Sequence, residues 1–300
     1  MPLRIGIEAH VVNARPSGNG RVVANLIRAL HAGTDHELFV YFTDPAVAAA
    51  WRGLEWARLT VRLIRPGNPA FRIPLAQPVL AARDRLDVFL AHDNSPPLSP
   101  CPVVTLVHDV AFARFPQYFS AFERRWMPRT IPASMRRSNA VVTVSNFTRD
   151  EIVELYGIPQ EKIAVAHNGV DALFLDPEPR PSTVEPPFFL TTGNLQPRKN
   201  LPMLIRAFRS LIRHDPQIRE RLVVVGQEAY AAAALFEEAR DLQEAGRVVF
   251  TGYLPDEELV GLIQHATAFA YPSVYEGFGL PPLEAMAAGA PTVVADIPVM

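Results

Sequence analysis

The sequence predicts an α/β protein made of two Rossmann-like units in succession. Three observations carry that expectation. Buried-strand patterns alternate with helical ones over residues 1–175, a proline-rich stretch occupies 176–187, and the alternation restarts at 188 and continues to 300. Strands that alternate with helices pair in parallel, because a helix supplies the crossover that a parallel pair needs.

In the first part, Leu3–Glu8, Glu37–Phe42, Asp87–Ala91, Val103–Val107 and Ala140–Val144 are short apolar runs of strand length. They are continuous rather than alternating, as expected of strands covered on both faces. Helical periodicity lies between or after them at Arg21–His31 and Phe147–Tyr156, the latter preceded by Ser145 as an N-cap. Asp176–Pro187 has five prolines in twelve residues and reads as a linker. The second part repeats the pattern. Strands are expected at Phe188–Thr192, Leu222–Val225, Val248–Thr251, Ala268–Tyr271 and Thr292–Ala295, the last of them buried, with helices at Asn200–His214, Tyr230–Ala245 and Asp256–His265. The domains are therefore 1–175, the linker 176–187, and 188–300.

Composition narrows the function classes. Hydrophobic content of 49% and charge of 20% are ordinary for a globular chain. The single cysteine, Cys101, excludes an intramolecular disulfide and suits a reducing compartment. No apolar run approaches the roughly 18 residues of a membrane span, and the N-terminus reads as a strand rather than a signal peptide, so a cytoplasmic location is expected. Net charge is −2, divided as +4 over residues 1–175 and −6 over 176–300. A nucleic-acid partner is not expected, since no basic run carries interleaved aromatics. The basic excess includes Arg124, Arg125, Arg129, Arg136 and Arg137, on a helical segment with Trp126, Met127 and Ile131 and with Pro128 and Pro132 expected to kink it. That segment is a candidate for contact with an anionic membrane surface at the inner face. The alternative is a solvated face over a buried stripe.

The most informative stretch is Ser273–Met286. Glu276 and Glu284 stand eight apart around the loop Gly277-Phe278-Gly279-Leu280, and Pro281 and Pro282 suit the first turn of a helix. A glycine loop at a helix N-terminus suits an anion. Carboxylates beside phosphate are repelled by it, so each Glu is expected to accept hydrogen bonds from neutral hydroxyls. A ligand with both phosphates and hydroxyls is a sugar nucleotide. Upstream, Gly193-Asn194-Leu195-Gln196-Pro197-Arg198-Lys199-Asn200 follows a strand and opens a helix, and it offers two cations where a phosphate would sit. Only two lysines occur beside 27 arginines, and Lys199 is one of them.

With these motifs the chain resembles the retaining glycosyltransferases of family 4, whose GT-B fold has two Rossmann-like domains facing a central cleft. Glu276 and Glu284 match the family's Glu, seven residues, Glu signature. The resemblance implies that Glu276 contacts the donor sugar's hydroxyls, Glu284 the ribose, and Arg198 and Lys199 the pyrophosphate. Some members carry an arginine directly after the glycine, where this chain has Asn194. Gly18-Asn19-Gly20-Arg21 looks like a dinucleotide fingerprint, but Val23 breaks it. In the family this loop lies over the donor phosphates and the acceptor; the alternative is a turn and helix cap. His108, after the strand Val103–Val107, matches the histidine that faces the donor sugar, and Asp109 orients it or caps a turn. His92, Asp93 and Asn94 are candidates for the acceptor pocket. Gly252 and Tyr253 lie where the nucleobase sits near the backbone, or in a plain strand-to-helix turn.

No metal is expected: there is no Asp-x-Asp triplet and no metal-spaced His/Cys cluster, and the site's cations are side chains. No cofactor is expected either. GT-B proteins end in a helix that crosses back to the first domain, and none follows the last strand here, so the C-terminus is expected to be incomplete. The implied activity is transfer of a hexose, possibly mannose, from a nucleoside diphosphate sugar to a saccharide or lipid-linked acceptor. No residue stands out as a covalent nucleophile, which favours front-face displacement. The alternatives are a sugar-nucleotide epimerase of similar architecture and a non-catalytic sugar-nucleotide sensor.

Overall fold

The computed structural model describes residues 1–14, 18–54, 56–228 and 232–300. The chain divides into two compact units. The first comprises Met1–Arg114 and Ala121–His167, the second Phe115–Ser120 and Asn168–Met300.

In the first unit the elements run β1 (Arg4–Glu8), α1 (Gly18–Gly33), β2 (Glu37–Phe42), α2 (Pro45–Arg52), β3 (Leu59–Leu63), α3 (Pro69–Phe71), a π-helical turn (Arg72–Ala76), α4 (Gln77–Arg83), β4 (Val88–His92), β5 (Val103–Val107), α5 (Ala111–Arg114), α6 (Ala121–Arg137), β6 (Ala140–Thr143), α7 (Asn146–Tyr156) and β7 (Ile163–Val165). Every strand pair is parallel, in the order β3-β2-β1-β4-β5-β6-β7. The chain moves outward from β1 through β2 to β3, then returns to β4 and continues in the opposite direction. Right-handed crossovers put α1 and α2 on one face of the sheet and α3–α4, α6 and α7 on the other. The packing agrees. Val23 and Ile27 of α1 and Trp51 of α2 share one core with Leu38, Val40 and Phe42. Ala81 of α4 packs into another with Phe39, Tyr41 and Phe89. The strands β3 and β7 were not evident from the sequence pattern. Leu59–Leu63 is half-buried along its whole length, and Ile163–Val165 is three residues long. Both are edge strands, where one-sided cover weakens the apolar signal. The Ser145 cap forms, its Oγ accepting from the Thr148 N–H at 3.0 Å. The helix α6 continues through Pro128 and Pro132.

In the second unit come α8 (Ala172–Leu175), β8 (Phe188–Thr192), α9 (Leu201–His214), β9 (Arg221–Val225), α10 (Ala232–Glu244), β10 (Val248–Gly252), α11 (Asp256–His265), β11 (Ala268–Tyr271), α12 (Leu280–Ala287) and β12 (Thr292–Val294). Tyr230, where the sequence places the start of α10, lies outside the described residues. The sheet is parallel, ordered β10-β9-β8-β11-β12. Its direction reverses between β8 and β11, and the crevice at the carboxyl ends of such a pair is where open α/β sheets bind ligands. The strand at Thr292 forms as expected but is not buried. It is the sheet's edge, and Val293 is 64% exposed.

Candidate active site

The segments that leave β8 and β11 carry the predicted site of the second unit, and they meet across the reversal point. After β8 the chain turns at Gly193 (φ 129°), runs into a 3₁₀ turn at Pro197–Lys199, and enters α9 through Asn200 in the left-handed conformation (φ 55°). After β11 it passes through Ser273 to Glu276 and enters α12 through Gly279 (φ 93°), with Pro281 and Pro282 in the first turn. The two segments are tied by backbone: the Val274 N–H donates to the Arg198 carbonyl at 2.9 Å.

Glu276 is the hub. Lys199 Nζ donates to its Oε1 at 2.5 Å and Arg198 Nη1 to its Oε2 at 3.0 Å. Ser273 Oγ and Tyr271 Oη donate to Oε1 at 2.6 and 3.0 Å. Glu276 is 6% exposed and Lys199 8%. Burial alone would raise the Glu276 pKa; the adjacent Lys199 and Arg198 outweigh it and hold the carboxyl at about 2. Burial and the Glu276 charge raise Tyr271 well above the usual phenol range, which keeps it a donor. Arg198 is further fixed by Gln196 Oε1 at 3.0 Å and the Tyr275 carbonyl at 3.2 Å. Beside the neutral hydroxyl partners expected of Glu276, its oxygens also hold both cations.

Glu284 is 3% exposed in the second turn of α12. Gly193 lies beside Lys199, whose Cε is 3.6 Å from where a Gly193 side chain would start. Gly226, which no sequence motif marks, follows β9. A Cβ there would stand 1.9 Å from the Gly193 carbonyl oxygen, so only glycine fits. Its N–H donates to the Gly252 carbonyl at 2.9 Å, which extends the row of strand ends to β10 and on to Tyr253. The segment Phe115–Ser120 also belongs to this unit, the Phe115 ring standing 5.6 Å from that of Tyr275. Tyr271 and Ser273 were not singled out from the sequence either. Their signal was present only as a Tyr and a Ser just before Glu276.

His108, Gly18 and Gly20 lie in the first unit. Gly18 opens α1 and is exposed, while Gly20 is buried. His108 follows β5 and is 6% exposed. It sits in a polar group at the reversal point of that sheet. Glu8, at the end of β1, accepts from the His92 N–H at 3.1 Å and contacts His10 Nδ1 and Arg72 Nε, each at 3.1 Å. The ring centroids of His10 and His92 are 5.3 Å apart, and those of His92 and His108 5.0 Å. Among the described residues, His92 Nε2 and His108 Nε2 are buried without a hydrogen-bond partner. Burial depresses both histidines, His92 to about 3 and His108 to about 4, so both rings are neutral at pH 7. Burial raises Asp93 to about 6. Asp109 Oδ1 accepts from the Ala111 N–H at 2.9 Å, the turn-capping role of the two foreseen for it. Glu8, His10 and Arg72 were missed, since nothing local marks an ion pair that spans 64 residues. Among the described residues no group of three His, Cys, Asp or Glu side chains is placed to hold a metal ion.

A profile described as "Glycosyltransferase Family 4" matches residues 16–173, and one described as "Glycosyl transferases group 1" matches 175–300. The chain is similar to "O-antigen chain mannosyltransferase B" of Escherichia coli, 30% identical over 202 residues, 65% of this chain and 53% of that protein. It is 32% identical over 194 residues to "O-antigen chain mannosyltransferase RfbU" of Salmonella typhimurium, covering 64% of this chain and 52% of that one. The chain thus spans about half the length of these relatives. Among solved structures, HepE of Anabaena in complex with UDP-glucose superposes with a TM-score of 0.70 at 21% identity, over 98% of this chain and 80% of its own. WaaG, a glycosyltransferase involved in lipopolysaccharide biosynthesis, gives 0.68 at 17% identity, over 97% and 80%. The fold is GT-B.

Proposed function

Because the chain belongs to glycosyltransferase family 4, we propose that it is a retaining, metal-independent hexosyltransferase. It takes a hexose, with mannose the first candidate, from a nucleoside diphosphate sugar and passes it to a saccharide or lipid-linked acceptor. The observation that carries this reading is the convergence of Arg198 and Lys199 on Glu276 at the reversal point of the second sheet. The two cations stabilise the charge that grows on the departing diphosphate, and fixed charges in a desolvated site need no reorganisation to do so. Glu276 orients the donor sugar through its hydroxyls, Glu284 holds the ribose, and the strand ends at Gly193, Gly252 and Tyr253 with the loop Gly277–Leu280 complete the donor site. Within the first unit, Gly18 and Gly20 are phosphate- or acceptor-loop glycines and His108 is a neutral donor to a sugar hydroxyl. Asp93, at about 6, is an acceptor for the incoming hydroxyl.

The relatives named as mannosyltransferases support mannose as the transferred sugar. The protein acts in the cytoplasm, with α6 in contact with the inner membrane face. Among the described residues no helix is long and apolar enough to cross a membrane.

Thermal-shift screening against nucleoside diphosphate sugars identifies the donor. Transfer of its label to a saccharide or lipid-linked acceptor, with the anomeric configuration of the product read by NMR, tests the reaction. Retention supports it. Donor consumption without acceptor-dependent product makes the protein an isomerase, and tight binding with no turnover makes it a sensor.

A further inference from the structure

Tyr271 closes β11 and joins the two charges that β8 and β11 bring together. Its Oη accepts from Lys199 Nζ at 2.5 Å and donates to Glu276 Oε1 at 3.0 Å. Lys199 and Glu276 also meet directly at 2.5 Å, so the three groups form a closed triangle. Tyr271 is buried, and its ring packs in the core of the second unit with Phe188, Leu190, Phe269 and Ala285. It stacks with Phe269, the ring centroids 6.1 Å apart. Close packing fixes the ring and with it the position of the hydroxyl at its tip.

The two oxygens of Glu276 are unequally loaded. Oε1 takes three donors: Lys199 Nζ, Ser273 Oγ at 2.6 Å and Tyr271 Oη. Oε2 takes Arg198 Nη1. A carboxylate oxygen has two lone pairs, so Oε1 holds one donor more than it needs. Ser273 is fully buried, and its single proton has three acceptors within reach: the Arg198 carbonyl at 3.1 Å, the Tyr275 carbonyl at 3.2 Å and Glu276 Oε1 at 2.6 Å. The shortest of these, to a charged oxygen, is the strongest.

This loading bears on how a diphosphate could be accommodated. To meet it, Lys199 and Arg198 must give up Glu276, and a buried carboxylate stripped of its counter-charges is strongly destabilising. Two hydroxyl donors that stay behind fill both lone pairs of Oε1 and keep the carboxylate satisfied. We propose that Tyr271 and Ser273 are positioning residues of the donor site, which hold Glu276 Oε1 while Lys199 and Arg198 pass from Glu276 to the diphosphate. Oε2, released by Arg198, is then the oxygen that accepts from the sugar. This role rests on the proposed binding of the diphosphate by Lys199 and Arg198. It makes that binding compatible with a carboxylate buried between the same two cations.

The test is a double-mutant cycle on the full chain, read by calorimetry in EDTA with whichever of GDP, UDP and ADP binds the wild type. Tyr271→Phe keeps the ring and removes the hydroxyl. It should weaken the nucleotide about tenfold, the loss expected for one hydrogen bond to a charged group. Ser273→Ala should do the same, and its cycle reads the same coupling if Tyr271→Phe does not fold. In a Glu276→Gln background no buried charge is stranded, so adding Tyr271→Phe should change Kd by less than about twofold. A tyrosine that only fills space would cost the same in both backgrounds. Equal losses in the two backgrounds, or an unchanged Kd in Tyr271→Phe, overturn the positioning role and leave the diphosphate site standing. If none of the three nucleotides binds the wild type, the diphosphate reading falls and this role falls with it.

Discussion

Lys199 places its Nζ 2.5 Å from Glu276 Oε1, so the cation proposed for the departing diphosphate is already neutralised by a buried carboxylate. Arg198 pairs with the other oxygen at 3.0 Å. An arriving diphosphate must therefore compete with Glu276 for both cations. The same contacts keep Glu276 ionised far below neutral pH.

From that competition, Glu276→Gln should bind a free nucleoside diphosphate as well as the wild type or more tightly, because the cations lose their internal counter-charge. Turnover should still fall, since the sugar loses its charged acceptor. Calorimetry with the diphosphate, set beside steady-state kinetics with the full donor, checks both halves. Weaker diphosphate binding in this variant would mean that Glu276 contacts the nucleotide itself.

Glu284→Gln should behave in the opposite way and weaken the bare diphosphate about tenfold or more, because a charged hydrogen bond to the ribose is worth about 1.5–3 kcal/mol. Equal losses in the two glutamate variants would remove the distinction drawn between them.

Gly226→Ala should disrupt the donor site without a charge change. The new methyl carbon has no room against the Gly193 carbonyl, 1.9 Å away, so the strand ends of β8 and β9 must separate. The expected outcome is a large loss of donor affinity and a lowered Tm. Wild-type affinity would show that the turn at Gly193 tolerates displacement.

Acid should destabilise the first unit earlier than the ordinary carboxylates would. His92 and His108 titrate near 3 and 4 in the folded unit and near 6.5 when unfolded. Below about pH 6.5 the unfolded chain therefore takes up protons that the native unit refuses, and stability falls as pH drops toward 4. Asp93, raised to about 6, opposes this in part, since its protonation favours the folded unit as pH falls. All three tryptophans lie in this unit, so urea titrations followed by tryptophan fluorescence report on it alone. His108→Asn should flatten the loss of stability between pH 7 and pH 5; an unchanged slope would count against the depressed histidine.

Much of the fold was legible because parallel strands covered on both faces are short apolar runs between helical ones, and Glu37–Phe42, Val103–Val107 and Phe188–Thr192 fall where those runs predict. Edge strands carry no such signal: β3 and β7 went unseen, and Thr292–Val294 formed a strand without the burial its valines suggested. The donor-site motifs were legible because Arg198, Lys199 and Glu276 each follow a strand in a glycine-marked loop. Their mutual contact was not, because it depends on β8 and β11 being neighbours in the sheet. The same holds for Glu8 and Arg72, brought together by a crossover rather than by local sequence.

Lys199 is the side chain on which diphosphate binding most depends. Calorimetric titration of GDP, UDP and ADP into the wild type and Lys199→Ala, with EDTA present, isolates its role. The prediction is that one nucleotide binds the wild type without added metal, and that the variant binds it at least tenfold more weakly, the loss expected for one charged hydrogen bond. An unchanged Kd in Lys199→Ala, or wild-type binding that appears only when Mg²⁺ or Mn²⁺ is restored, would contradict it.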